Sequence, residues 1–250
     1  RIKLLMKEDT YEDDSLVQEP GTLEVSDVSF AYPGGEKIYE DFNLSATPGQ
    51  IIGVTGAVAC GKSTLGKTFL CEYPYEGRIC FHGKELSGMT KAEQNGMVGY
   101  LGHDPELFND SVRNNILLGD DDDPEKYLKA VCFDGEVAEM EEGMDTIVGN
   151  GGVRLSGGQA QRLALARTLC HKRPVLILDD PFSALDRKTE EEVFANLRKL
   201  AADSIVILLS HRLYLFPEMD QVLWMEDGKV TAGTHEQILE KFPEYARLYE

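Results

Sequence analysis

The chain has no apolar run long enough to cross a bilayer. Its longest, such as Ile205-Val206-Ile207-Leu208-Leu209, have the length of a strand, whereas a membrane helix needs roughly 20 such residues. The first residues lack the apolar stretch of a signal peptide, so no secretory leader is expected. A chain that opens on Arg1 reads as a fragment of a longer one. Basic residues are scarce: 25 Lys and Arg stand against 44 Asp and Glu, for a formal net charge of −19. That balance argues against a general nucleic-acid surface. It leaves room for a nucleotide, because a phosphate site needs backbone dipoles and only a few local cations. Cys60, Cys71, Cys80, Cys132 and Cys170 are odd in number and form no C-x-x-C pair, which favours reduced cytosolic thiols over a disulfide frame or a metal site. Repeats and low-complexity tracts are missing too. What remains is 250 residues, 42% of them hydrophobic, enough for a core in one large domain or two small ones.

Against these absences stands one dense stretch, Gly56-Ala57-Val58-Ala59-Cys60-Gly61-Lys62-Ser63-Thr64. The run Ile51-Ile52-Gly53-Val54-Thr55 before it reads as a buried strand, and Thr64–Leu70 after it as a helix. Strand, loop and helix make the phosphate-binding pattern G-x-x-x-x-G-K-[ST]. Glycine lets the backbone curl until successive N–H groups face an anion, and a helix N-terminus adds partial positive charge at the same point. Lys62 can reach the β- and γ-phosphates, and Ser63 can offer its hydroxyl to Mg²⁺. The plain alternative is a glycine-rich turn between strand and helix. Cys60 lies where a thiol pKa tends to fall, so it reads either as a reactive thiol or as a small, tolerated side chain.

Around this stretch the chain alternates strands and helices. Leu23–Phe30 has strand patterning, and Tyr32-Pro33-Gly34-Gly35 turns the chain before a strand beginning at Phe42. Tyr32 could stack on a purine or simply support the turn. Gly77–Phe81 and Met97–Leu101 read as short strands. From about Asp104 to Arg154 the texture becomes helical, with segments at Ser111–Leu117, Pro124–Val131 and Gly135–Met140. Asp120-Asp121-Asp122-Asp123 reads as a cation ligand set or as a solvated loop leading into a helix. Leu155-Ser156-Gly157-Gly158-Gln159 opens another helix, and its Ser-Gly-Gly start predicts bare N–H groups and a second anion site. Val175–Leu178 is a buried strand ending in Asp179-Asp180, where open α/β sheets bind ligands. Ser183-Ala184-Leu185-Asp186 leads into a long charged helix through Leu200. Ile205–Leu209 ends in Ser210-His211-Arg212. A hairpin across Asp227-Gly228 and two short helices close the chain.

Together these motifs resemble the nucleotide-binding domain of ABC transporters, from about Thr22 to Glu250. The resemblance rests on the phosphate loop, Leu155–Gln159 as the signature motif, the strand ending in Asp179, Ser183–Asp186 as the D-loop and His211 as the switch histidine. It implies an α/β fold: a P-loop NTPase (ABC ATPase) core with a mixed sheet, an antiparallel β edge and an inserted α-helical subdomain at about 104–165. Asp145–Gly152 resembles the exporter-specific loop that contacts the membrane domain's coupling helices, and Pro105–Ile116 resembles the exporter pattern too. Residues 1–21 then look like a linker from a preceding transmembrane domain, with Arg1–Met6 the end of its last helix. The implied cofactors are ATP and Mg²⁺. Tyr32 would stack on adenine, residues Gly56–Thr64 would cradle the phosphates, and Ser63 and Asp179 would hold the metal. Lys62, Asp180 and His211 would be catalytic, with His211 on the γ-phosphate. Leu155, Ser156, Gly157, Gly158 and Gln159 would close over the ATP of a partner domain, since the family dimerises head to tail.

Three positions depart from the family pattern. Asp180 stands where the family has its catalytic Glu. It is shorter by one methylene, roughly 1.5 Å, and a displacement of about 1 Å can cost on the order of 10²-fold in rate. His103 stands where the nucleotide-contacting Gln of the family is expected, and Asn150 where exporters carry Glu. An intact signature beside Asp180 resembles the degenerate half of asymmetric, multidrug-resistance-type exporters, whose partner carries the proper Glu. The expected setting is the cytoplasmic face of a membrane, with transmembrane domains as partners and no nucleic acid. The alternatives are a homodimeric ATPase that works with Asp, a soluble ABC ATPase of DNA repair or translation, and a non-hydrolysing regulatory module.

Overall fold

Continuous apolar runs become strands buried on both faces, and their alternation feeds two cores. The structure, a computed structural model, describes residues 19–249. The expected helix end at Arg1–Met6 and most of the expected linker lie outside the described residues. Leu23–Ala31 (β1) and Lys37–Ala46 (β2) pair antiparallel. β2 begins at Lys37 rather than Phe42, because Ala31 pairs with Lys37 and Tyr39 is buried opposite Phe30. The charges at Lys37, Glu40 and Asp41 hide that alternation in the sequence. Ile51–Gly56 (β3) leads to Lys62–Thr68 (α1). Glu76–Phe81 (β4) extends the antiparallel edge, with Lys84–Glu85 (β5) outside it.

Lys91–Met97 (α2) is a helix that the strand-helix reading passed over, and it claims Met97 from the expected strand. Its start is nonetheless written in the chain as Thr90 and Glu93, which form a reciprocal capping box. Val98–Leu101 (β6) follows. The helical stretch contains a two-stranded pairing of Asp110–Ser111 (β7) with Ile147–Val148 (β8) around Val112–Leu117 (α3), Pro124–Ala130 (α4) and Asp134–Ala138 (α5). The aspartate run proves to be the loop leading into α4. Asp123 caps that helix, Asp122 accepts from Lys126 and Tyr127, and Asp120 lies 3.3 Å from His171.

The chain continues through Gly157–Cys170 (α6), Val175–Asp179 (β9), Arg187–Leu200 (α7), Ile205–Leu209 (β10), Gln221–Glu226 (β11), Lys229–Gly233 (β12), His235–Lys241 (α8) and Pro243–Tyr249 (α9). The main sheet runs β5-β4-β1-β2-β12-β11-β3-β10-β9-β6. It is mixed: β11, β3, β10, β9 and β6 are parallel, while β1, β2, β4 and β5 form the antiparallel edge. Leu176, Leu178, Val206 and Leu208 point to the core shared with α3, α4, α6 and α7. Val175, Ile177, Ile205 and Ile207 point to the other, shared with α1 and the antiparallel strands. Parallel strands covered on both faces read as unbroken apolar runs for this reason. Each fully buried aliphatic side chain of this kind contributes about 1.5–3 kcal/mol.

The order of the parallel strands positions the site. Gly56 closes β3, His211 follows β10, Asp179 closes β9 and His103 follows β6. These four strands are consecutive neighbours, so all four residues are delivered to one carboxyl edge of the sheet. That edge is where ligands bind in open parallel sheets.

Candidate functional site

The phosphate loop is built by backbone geometry. Ala59 (φ +64°) and Gly61 (φ +103°) take left-handed conformations that turn the chain into α1. Gly61 is required twice over: its φ disfavours any side chain, and a Cβ there would lie 2.5 Å from Ile38 Cγ2. Gly66, one turn into α1, lets the helix lie against the sheet, where a Cβ would meet Ile177 Cγ2 at 3.0 Å. Gly61 is also the N-cap of α1, and no side chain caps the helix. Its first N–H groups therefore remain donors without an intrahelical partner. Lys62 folds back over the loop with its side chain 8% exposed as a residue. Its Nζ donates to Gly56 O at 3.0 Å and Ala57 O at 2.9 Å, and lies 3.8 Å from Cys60 Sγ. Ser63 and Val58 face solvent. A cavity of about 830 Å³ is lined by Ala57–Gly61 and Thr64 together with Ile38, Met225, Asp227 and Leu248.

Tyr39 of β2 and Tyr32, just past the end of β1, are fastened to α1. The Tyr39 hydroxyl lies 2.6 Å from Thr68 Oγ1, which itself donates to Thr64 O at 2.9 Å. One turn nearer the loop, the Tyr32 hydroxyl lies 3.4 Å from Thr64 Oγ1. The half-exposed ring of Tyr32 thus stands beside the helix that carries the phosphate loop. Burial raises the Tyr39 phenol pKa far above its ordinary value, so this pair stays neutral and hydrogen-bonded.

At the ends of β9 and β10 the acidic residues part company. Asp179 is buried, and its Oδ2 accepts from the Tyr100 hydroxyl at 3.2 Å. Burial, and then the charge of Asp179, push the Tyr100 phenol well above its ordinary pKa, so it remains a donor. Asp180 adopts φ +51°, a conformation that Asp tolerates better than most residues. Its N–H donates to Leu209 O at 2.8 Å, tying it to β10. Its side chain is 14% exposed and lies 3.9 Å from His103 Nδ1. Burial raises the Asp180 pKa, His211 and His103 pull it back, and Asp179 adds to the rise. The structure thus brings Asp179, Asp180, His103 and His211 into one corner.

Arg212, next to His211, ties this corner to the following turn. It donates to Ser183 O, Leu185 O and Glu190 Oε2, each at 2.7 Å. Glu190 is 1% exposed; its ion pair leaves little of either charge unmatched. Asp186 caps α7 by accepting from Lys188 and Thr189.

The N-terminus of α6 differs from the expected bare anion site. Ser156 Oγ accepts from Gln159 N, and Gln159 Oε1 accepts from Ser156 N, a complete capping box. Gln159 Nε2 donates to Glu136 Oε2 at 2.7 Å, and Arg162 pairs with the other oxygen of Glu136 at 2.5 Å. Arg162 also donates to Cys132 O at 2.7 Å. Gly157 and Gly158 form the first turn, and a Cβ at Gly158 would come 3.1 Å from that of Ala184. Leu155 is half-buried beneath the cap. Tyr100, Glu136, Arg162, Glu190 and Arg212 were not among the sequence candidates. Each acts across 22 or more residues of chain, and no local spacing marks such a contact.

Comparison with known proteins places this arrangement. A family model described as ABC transporter matches residues 39–183. A probable multidrug resistance ABC transporter ATP-binding/permease protein of Bacillus subtilis, YheI, is 35% identical over 241 residues, covering 94% of this chain and 41% of that protein. An ATP-dependent lipid A-core flippase of Pseudomonas syringae is 38% identical over 237 residues, covering 92% and 40%. A solved structure of a bacterial Atm1-family ABC exporter with ATP bound superposes with a TM-score of 0.85 at 30% identity, over 93% of this chain and 42% of that one. The chain spans about two fifths of the length of the curated relatives it matches.

Proposed function

The chain belongs to the ABC transporter family, and we propose that it is the ATP-binding and ATP-hydrolysing motor domain of an exporter, with a hydrolytic centre of its own that is weak. The observation that carries the reading is Lys62, held over an uncapped helix N-terminus by the carbonyls of Gly56 and Ala57. The ammonium already sits where a phosphate would arrive. In the reading, residues 22–250 form the nucleotide-binding domain, 104–165 its helical subdomain and 1–21 the link to a membrane domain.

The proposed roles are these. Residues Gly56–Thr64 bind the phosphates of ATP, and Tyr32 stacks on the base. Asp179 and Ser63 offer hard oxygen donors, one a buried carboxylate and one an exposed hydroxyl, which suits Mg²⁺ held jointly with phosphate oxygens. Bound Mg²⁺ would neutralise charge on the phosphates. His103 and His211, both close to Asp180, contact the γ-phosphate in this reading. Asp180 orients the attacking water, but it is one methylene short, and a base displaced by about 1 Å loses much of its effect. Ser156, Gly158 and Gln159 serve the ATP of a second nucleotide-binding domain, a non-identical one with a catalytic Glu.

Docking to transmembrane domains at the cytoplasmic face is supported by Phe108, Leu118, Ile147 and Val153. These large apolar side chains are exposed around the β7–β8 pairing. Asn109 ties the two segments together by accepting from Gly151 N at 3.0 Å. Among the described residues, no helix is long and apolar enough to cross a membrane.

Asp180→Glu in the assembled dimer tests the weak-centre reading. Turnover is expected to rise at least about tenfold, given the cost of misplacing a base by about 1 Å. Unchanged turnover would instead favour a homodimer that works with Asp, a second reading supported by His211 and by His103 at 3.9 Å. No turnover in either form, with ATP still bound, would favour the regulatory module.

A further inference from the structure

Tyr73 belongs to none of the motifs, yet it stands in the aromatic wall beside the phosphate loop. Its ring is 5.2 Å from Tyr32 at an interplanar angle of 84°. Phe30 is 5.1 Å from Tyr32 at 89°, and 6.5 Å from Tyr73 at 78°. The three ring planes are therefore close to mutually perpendicular. One edge-to-face neighbour leaves a ring free to tilt about one axis; two neighbours that are perpendicular to each other fix both.

Tyr32 needs that restraint. It sits where β1 gives way to a turn containing Gly34 at φ +76°, and among the described residues its hydroxyl reaches only Thr64 Oγ1, at 3.4 Å. Tyr73, by contrast, is on a segment held from several sides. Cys71 turns the chain at φ +51° and donates to Thr68 O at 3.1 Å. Lys91 Nζ donates to Leu70 O at 3.1 Å, and Pro74 restricts the backbone of Tyr73. The Tyr73 residue is 43% exposed, so burial accounts for little of its placement. Its aromatic neighbours are Tyr32 and Phe30.

We infer that Tyr73 is a positioning residue for nucleotide binding: with Phe30 it locks the plane of Tyr32 so that a purine base meets a ring already in its stacking orientation. The inference rests on Tyr32 being the base-stacking side chain. Pre-organising the ring removes an ordering cost on binding, and its loss corresponds to about a three- to tenfold weaker complex. Because Tyr73 acts through Tyr32, the base is affected and the phosphates are not.

Calorimetric titration of the intact chain with Mg²⁺ and either ATP or inorganic tripolyphosphate tests this. Tyr32→Ala is expected to weaken ATP about tenfold or more, the scale of one base–aromatic stack. Tyr73→Ala is expected to weaken ATP about three- to tenfold, and Tyr73→Phe to restore it. Tripolyphosphate should bind all variants alike, which also shows that the loop is folded. The double variant should be no weaker than Tyr32→Ala alone. If Tyr32→Ala weakens ATP and Tyr73→Ala does not, the inference on Tyr73 is overturned and the stacking role of Tyr32 stands. Further weakening in the double variant, or equal loss of tripolyphosphate, overturns it as well. Wild-type ATP affinity in Tyr32→Ala removes the stacking reading and this inference with it.

Discussion

Two helix N-termini in this chain look alike in sequence and differ in structure. Gly61-Lys62-Ser63 opens α1, and Ser156-Gly157-Gly158 opens α6; each is a small-residue start of the kind that binds anions. The first has Gly61 as N-cap and no side-chain cap. The second is closed by its own side chains, with Ser156 and Gln159 bonded reciprocally and Gln159 held by Glu136. Unsatisfied donors at α1 are ready for a ligand. At α6 one of the same donors is occupied until something displaces it. In the proposed reading this is the difference between a site that works within the chain and one that works only against a partner. On that reading the cis site stands open and the trans site is latched, and the latch would be exchanged for phosphate contacts when a dimer closes.

The largest effect should come from breaking the open end. Lys62→Ala removes an ammonium that would make charge-assisted bonds to phosphate, each worth about 1.5–3 kcal/mol. ATP affinity is expected to fall about a hundredfold or more, measured by titration of the chain with Mg²⁺. Ser156→Ala in the same assay should leave affinity within about twofold. A loss of similar size in both variants would erase the contrast between the two termini.

That contrast shows how much the sequence disclosed. The loop, the Asp179 strand and the signature were legible because each is a local pattern: apolar runs buried on both faces, and turn residues that only certain backbones accept. Strand ends such as Lys37 were obscured by surface charge, and α2 was missed although Thr90 and Glu93 spell its cap. Gly157 and Gly158 promised bare donors, but the spacing of Ser156 and Gln159 is also that of a capping box. The decisive third member, Glu136, comes from α5. Tyr100 on Asp179 and Arg212 on the D-loop carbonyls were likewise beyond reach, since pairing across the fold leaves no periodicity. The left-handed backbone of Asp180 adds a consideration that spacing could not supply. Asp suits that conformation better than Glu does, so Asp180→Glu should cost some stability, less than about 1 kcal/mol, even where it raises turnover.

Breaking the latched end should produce a smaller change in a different observable. Ser156→Ala removes one half of the capping box, and loss of a Ser cap costs about 1 kcal/mol. For a domain of this size that corresponds to about 2–4 °C in thermal midpoint. ATP-dependent dimer formation should be lost at the same time, because the hydroxyl no longer serves either the cap or the partner's nucleotide. Retention of both the midpoint and the dimer would mean that the cap is ornamental and the latch is no latch.

The smallest effect isolates Glu136. Burial raises its carboxyl pKa, but bonds from Gln159 and Arg162 outweigh that and hold it below the ordinary value of 4.5. A carboxyl lowered by folding adds stability above its unfolded pKa and loses it as pH falls through the folded value. Urea unfolding of wild type and Glu136→Gln should therefore differ near neutral pH, with wild type the more stable. The gap should close as the pH falls below about 4.5. Many other carboxylates titrate in that range, but they do so in both proteins, so the difference reports on this one. The side chain is 43% exposed, and solvent screening keeps the gap small. A gap that persists unchanged into acid would place the stability in packing around Arg162 and Phe133 rather than in charge. The signature helix would then be held in place by shape, and protonation would not release it.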